Sequence, residues 1–139
     1  MRRIRRRLLA WAGAAALGLA APLAAWASHG SGAPAVIGLR SDYVMRLLDE
    51  RERLTLVDLR KTSEYRAGHL PGAISLPIVD LERRFKEIPK TERVVLYCQC
   101  PAEDIASAFV FLSRQGYINH AVLEDGLDGW LRRRYPIVK

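Results

Sequence analysis

The hydrophobic patterning of this chain predicts an α/β domain with a mostly parallel sheet covered by helices on both faces. Three observations carry that prediction. Short β-rich runs alternate with helix-periodic segments, the arrangement that successive βαβ units require. Val94-Val95-Leu96-Tyr97 is apolar at every position, as expected of a strand buried on both faces. No long repeat or low-complexity tract interrupts the alternation, and 139 residues suit one domain with one core.

Residues 28–35 are mainly Ser, Gly, Ala and Pro, which suits a flexible linker, so the folded domain is placed at 36–139. Ser41 and Asp42 are positioned to cap a helix whose apolar residues Val44, Leu47 and Leu48 recur at helical spacing. Leu54 to Leu59 follows as a strand, and Ser63 to Gly68 as a short helical turn closed by glycine. Ala73 to Leu76 is a second short strand between Pro71-Gly72 and Pro77. Val79 to Ile88, with Val79, Phe85 and Ile88 among charges, suits a surface helix. After the strand ending at Tyr97, Pro101 suits a first helical position, and Glu103 and Asp104 suit a first turn. Ile105, Phe109 and Leu112 give that helix its apolar face, Ala106 and Ala108 permit close packing, and Gly116 ends it. Ala121 to Leu123 is the last strand, and Leu127, Trp130 and Leu131 form the apolar side of a closing helix.

The net charge of +7 suggests a nucleic-acid partner until it is located. Arg2, Arg3, Arg5, Arg6 and Arg7 supply five charges, and the remaining chain has 17 basic against 15 acidic residues, so no nucleic acid is expected. Residues 8–27 are uncharged and rich in Ala and Leu, closing on Ala25-Trp26-Ala27. A basic start, an apolar middle and an Ala-X-Ala close describe a signal peptide over 1–27, cleaved after Ala27. The rival is an uncleaved anchor, because about 20 apolar residues span a bilayer. Both export the domain, to the periplasm or an equivalent compartment, and only the second involves the membrane.

Cys98 is the most informative residue. It ends the apolar run and begins Gln99-Cys100-Pro101-Ala102-Glu103-Asp104, a loop opening a helix. In open α/β sheets the carboxyl end of a strand is where ligands bind. A following helix N-terminus favours thiolate over thiol, and thiolate is the nucleophile. The alternative is an inert cysteine, since free Cys is often buried. A bridge from Cys98 to Cys100 would close almost no loop and would be strained, which points to chemistry more than to stapling.

Several segments together resemble the rhodanese-like sulfurtransferases. Leu56-Val57-Asp58-Leu59-Arg60 is similar to a strand motif of that family, and Glu64 to Ala73 (Glu-Tyr-Arg-Ala-Gly-His-Leu-Pro-Gly-Ala) to its most recognisable segment. Val95-Leu96-Tyr97-Cys98 resembles the strand carrying the active cysteine, and Leu123 to Trp130 the terminal glycine-rich turn and tryptophan helix. The resemblance covers residues 36 to 138. It implies a single rhodanese-like domain with a sheet of about five strands. It also implies that Cys98 accepts sulfane sulfur from a small donor and passes it, through a persulfide, to a thiol or cyanide acceptor. A protein thiol is a further candidate partner, and no cofactor is expected.

Within that frame Cys98 is the catalytic candidate and Cys100 a candidate resolving thiol. Gln99, Cys100, Pro101, Ala102, Glu103 and Asp104 form the active-site loop, and Asp58 and Arg60 either line the site or form a structural pair. The Tyr-Cys-X-Cys-Pro-X-Glu form resembles a bacterial subgroup of the family. Pro101 replaces a usual glycine, and Glu103 and Asp104 stand where Arg and Ser or Thr are common, which weighs against a dianionic donor such as thiosulfate. His69 suits a structural role in its turn. No metal spacing is completed by Cys98, Cys100 and a histidine. Two other functions stay open: thiol-disulfide redox chemistry by the cysteine pair, and a non-catalytic module that binds a partner. A phosphatase is disfavoured, because Glu103-Asp104-Ile105 offers no Arg to clamp an oxyanion.

Overall fold

The computed structural model describes residues 35–139. The expected export segment 1–27 and nearly all of the linker lie outside the described residues. Strands β1 (Gly38–Leu39), β2 (Leu54–Asp58), β3 (Ile74–Ser75), β4 (Arg93–Tyr97) and β5 (His120–Leu123) alternate with helices α1 (Ser41–Asp49), α2 (Thr62–Ala67), α3 (Leu81–Arg84), α4 (Ala102–Arg114) and α5 (Gly126–Arg132). The strands form one sheet in the order β1-β5-β4-β2-β3, with every pairing parallel. This is the α/β architecture the alternation predicts, with helices on both faces.

Strand periodicity divides the core into two layers. Val57, Val94, Leu96 and Val122 point to one face, where Phe109 and Leu112 of α4 and Leu81 of α3 cover them. Leu56, Val95, Tyr97 and Leu123 point to the other, against Val44 of α1 and Leu127 and Trp130 of α5. Every strand residue from Val94 to Tyr97 is thereby buried, as its unbroken apolar run requires. Trp130 is fully buried and donates its indole N–H to the Pro136 carbonyl at 2.9 Å. Among the described residues no helix is long and apolar enough to cross a membrane.

Four local expectations need correction. The α1 cap is not Ser41 or Asp42: Arg40 holds the cap position without a side-chain bond, and Ser41 is the first helical residue, buried against Asp125. Pro101 is likewise one place earlier than expected, capping α4 with Ala102 in the first turn. The segment Val79 to Ile88 is no continuous helix. It breaks into a 3-10 turn (Ile78–Asp80), the single turn α3 and a second 3-10 turn (Phe85–Glu87), so that Leu81 and Ile88 reach the core while Val79 is 88% exposed. Leu131 is 43% exposed and lies outside the inner face of α5.

Candidate functional site

Cys98 is presented by topology and by parity. The chain leaves β2 toward α2, whose Tyr65 packs on the α5 face, and leaves β4 toward α4 on the opposite face. Neighbouring strands whose exits diverge in this way open a crevice at their carboxyl ends. Asp58 of β2 pairs in register with Tyr97 of β4, so both strand ends meet at that crevice. Cys98 is the next residue after Tyr97. It continues the alternation of Val94 and Leu96 and packs half-buried against the α4 layer.

A cavity of about 460 Å³ opens there, walled by Cys98–Pro101 on one side and Asp125–Asp128 on the other. Cys98 and Cys100 are joined as a disulfide with their Cα atoms 5.3 Å apart. Gln99 ties the two walls together, its Nε2 donating to Asp128 Oδ1 at 2.9 Å. Gly126 has φ +57°, where a side chain is disfavoured, and a Cβ there would lie 3.5 Å from the Cys98 carbonyl oxygen. Among the described residues the backbone N–H groups of Gln99, Cys100, Ala102 and Glu103 donate to no protein acceptor. Four free donors therefore lie within residues 99–103, at the start of a 13-residue helix, and free N–H groups there favour a negative sulfur.

A family model of the rhodanese-like domain matches residues 41–133, which takes in both walls of the cavity. The chain belongs to the rhodanese-like domain family. A sulfurtransferase of Allochromatium vinosum is 36% identical over 98 residues, 70% of this chain and 91% of that relative. An HTH-type transcriptional regulator of Mycobacterium tuberculosis is 36% identical over 106 residues, and there the match spans 47% of the relative. Among solved structures, a thiosulfate sulfurtransferase from Pseudomonas aeruginosa superposes with a TM-score of 0.65 at 27% identity, over 74% of this chain and 20% of that one.

In this rhodanese-like domain the far wall depends on Asp125. Its Oδ1 accepts the Ser41 N–H at 3.0 Å and the Ser41 hydroxyl at 2.6 Å, and its Oδ2 accepts from Arg133 Nη1 at 2.5 Å. One carboxylate thus caps α1 from 84 residues away and fixes the start of α5. Burial alone would push the carboxyl up, but the Ser41 donors and Arg133 outweigh it and hold it below its ordinary value. Its contribution to stability is therefore full above its unfolded value of about 4 and is lost as pH falls through the folded one. Asp125→Asn is expected to cost about 1–2 kcal/mol at neutral pH. That gap should close as urea titrations are repeated below about pH 4. Gly129 guards the same carboxylate, because a Cβ there would overlap the Asp125 side chain. Gly129→Ala should destabilise by about 1–3 kcal/mol in chemical denaturation, since Asp125 must give up its Ser41 bonds to make room.

The remaining expected site residues separate into three groups. Cys98, Gln99, Cys100 and Pro101 line the cavity, whereas Ala102, Glu103 and Asp104 do not. Glu103 and Asp104 are exposed on the first turn of α4, and their carboxylates make no hydrogen bond or ion pair with the described residues. Asp58 does not line this cavity: it is fully buried and paired with Arg60, the structural alternative of the two considered. Arg60 also borders a second cleft of about 300 Å³ with Gly68, Leu131 and Ile137, which shares Gln99 and Leu127 with the first. His69 has the expected turn role. Its ring stacks on Tyr65 at 3.7 Å, Nδ1 lies 2.9 Å from the Tyr65 carbonyl, and its backbone exchanges two bonds with Val138.

Asp125, Leu127 and Asp128 escaped sequence reasoning as site residues. The strand-end rule could have found them, because β5 neighbours β4 and its exit loop opens on the same edge of the sheet.

Proposed function

We propose that this chain is an exported rhodanese-like sulfurtransferase that moves sulfane sulfur through a Cys98 persulfide. The observation that carries the proposal is the position of Cys98 at the divergent strand ends, lining an open cavity and before the α4 N-terminus. Exchange with an external dithiol, or with two thiols, which leave as their own disulfide, reduces the bridge to Cys100 and frees both thiols. The Cys98 thiolate then attacks the sulfane sulfur of a donor, the donor leaves with the bonding electron pair, and Cys98 holds the transferred sulfur as a persulfide. The free N–H groups of the loop and the helix dipole stabilise the negative charge at each stage. A thiolate or cyanide attacks the outer sulfur and returns Cys98 to thiolate.

The donor that fits is not a dianion. The cavity is lined by Asp128 and by Asp125, whose charge is paired with Arg133, and by no basic side chain, and Glu103 and Asp104 stand exposed close by in sequence. An organic persulfide or polysulfide meets less repulsion there than thiosulfate does. Export is supported by the basic start, the apolar run to Ala27 and the Ala25-Trp26-Ala27 close. Intact-mass analysis of the exported protein, with and without a sulfane donor, tests both parts. The expected result is a chain beginning after Ala27 whose reduced Cys100→Ser variant, which cannot close the disulfide, gains one sulfur on Cys98. Absence of any sulfur adduct on the Cys100→Ser variant with organic persulfide, polysulfide and thiosulfate alike would refute the sulfur-transfer role.

The observed disulfide favours one second function, thiol-disulfide exchange by Cys98 and Cys100. It requires both thiols, and it predicts turnover with disulfide substrates in the absence of any sulfane donor.

A further inference from the structure

We infer that Cys100 converts sulfur transfer into sulfide release. Once Cys98 carries a persulfide, the Cys100 thiolate attacks the carbon-bound Cys98 sulfur, forms the Cys98–Cys100 disulfide and expels hydrosulfide. The inference rests on Cys98 being the sulfur acceptor proposed above, and it adds a different product to that site.

The geometry identifies which sulfur Cys100 reaches. A persulfide offers two targets, and an external acceptor that takes up sulfane sulfur must attack the outer one. Cys100 Sγ is bonded to Cys98 Sγ itself, so its reach within this loop is to the inner sulfur. Attack there breaks the bond to the outer sulfur, which departs on the side away from Cys100. Both cysteines open on the same cavity, whose far wall at Asp125–Asp128 leaves room for the departing group. Chemistry points the same way: hydrosulfide is a weaker base than a cysteine thiolate, and weaker bases leave faster in thiol-disulfide exchange. Because the attack is intramolecular, it competes with acceptors that must first diffuse in.

The step balances. Cys98–S–SH and Cys100–S⁻ give Cys98–S–S–Cys100 and HS⁻, so the sulfane sulfur is reduced by two electrons and the cysteine pair is oxidised by two. No outside oxidant is consumed. Two equivalents of an external thiol, or one dithiol, then reduce the disulfide by exchange and reset the site. In this cycle the disulfide is a catalytic intermediate rather than a staple, in keeping with the very small loop it closes.

The experiment is a single turnover. The reduced full chain, freed of reductant, is mixed with one equivalent of glutathione persulfide and quenched by alkylation, and hydrosulfide and intact mass are read together. Cys98→Ser and protein-free samples set the background. Wild type is expected to release one hydrosulfide per chain and to end as the disulfide, while Cys100→Ser and Cys100→Ala lose the release and accumulate a Cys98 persulfide. A wild-type chain that keeps a stable persulfide and releases nothing overturns the inference and leaves Cys98 as sulfur acceptor. Equal hydrosulfide release from the Cys100 variants and wild type also overturns it. If no variant and no wild-type sample takes up sulfur on Cys98 or releases hydrosulfide above background, the proposed sulfur transfer fails, and this inference with it.

Discussion

Cys98→Ser is expected to abolish sulfur transfer while leaving the fold intact. Removing the nucleophile from an enzyme that works through a covalent intermediate costs at least about a thousandfold in rate, because no other group can carry the bond. Among the described residues the only other cysteine is Cys100, two positions on. It lacks the strand-end position and the packing against the α4 layer that fix Cys98. The structural cost of the change is small: Cys98 is half-buried and lines a cavity, and serine keeps a similar volume. Thiocyanate formation from cyanide, with organic persulfide as donor, measures the loss, and an unchanged urea midpoint shows that folding is not its cause. A module that only binds a partner would be indifferent to this substitution in every assay. Retention of full sulfur transfer by Cys98→Ser would move the chemistry to another residue.

Legibility in the sequence followed the range of the interactions. Near Cys98 the elements themselves were readable from local pattern, if not the exact start of α4: the continuous apolar run makes β4, its period-2 parity continues to Cys98, and the Ile105, Phe109 and Leu112 spacing makes α4. β1 was not readable from its own residues. It is two residues long, with no alternation to detect, and it exists because Ile37 and Leu39 accept N–H groups from Val122 and Glu124 across the sheet edge. The resemblance supplied the fifth strand where patterning could not. Asp125 was missed for a similar reason, since capping rules search the residues beside a helix start, and the carboxylate that bonds Ser41 lies 84 positions later. Asp58 and Arg60 were noticed, but composition alone could not decide between a wall of the site and a buried pair. That choice depends on Tyr97, whose hydroxyl closes the network from the neighbouring strand.

Asp58→Asn should therefore be the most damaging substitution away from the cavity. Asp58 is fully buried and Arg60 is 7% exposed. Arg60 Nε lies 3.0 and 3.2 Å from the two carboxylate oxygens, and Nη2 lies 2.6 Å from Oδ2. The same Nη2 donates to the Gly68 carbonyl at 2.7 Å, the Tyr97 hydroxyl donates to Asp58 Oδ2 at 2.7 Å, and the Leu70 N–H donates to that hydroxyl. Burial alone would lower the Arg60 pKa, yet Asp58 outweighs it and raises it, so the guanidinium stays charged. Burial, reinforced by Asp58, pushes the Tyr97 hydroxyl far up, so it remains a donor. Neutralising Asp58 thus strands a buried cation, which costs about 3–5 kcal/mol, a large fraction of the roughly 5–15 kcal/mol that holds a domain together. The urea midpoint should fall by the corresponding amount at unchanged slope. Adding Arg60→Met should recover part of the loss, because removing the stranded charge lifts the dominant penalty while the Gly68 carbonyl gives up only one donor. An additive double mutant would instead show that the two side chains are energetically independent. Since Tyr97 immediately precedes Cys98, the same variant should also slow sulfur transfer, by less than Cys98→Ser does, as the strand end that aims the thiol loosens.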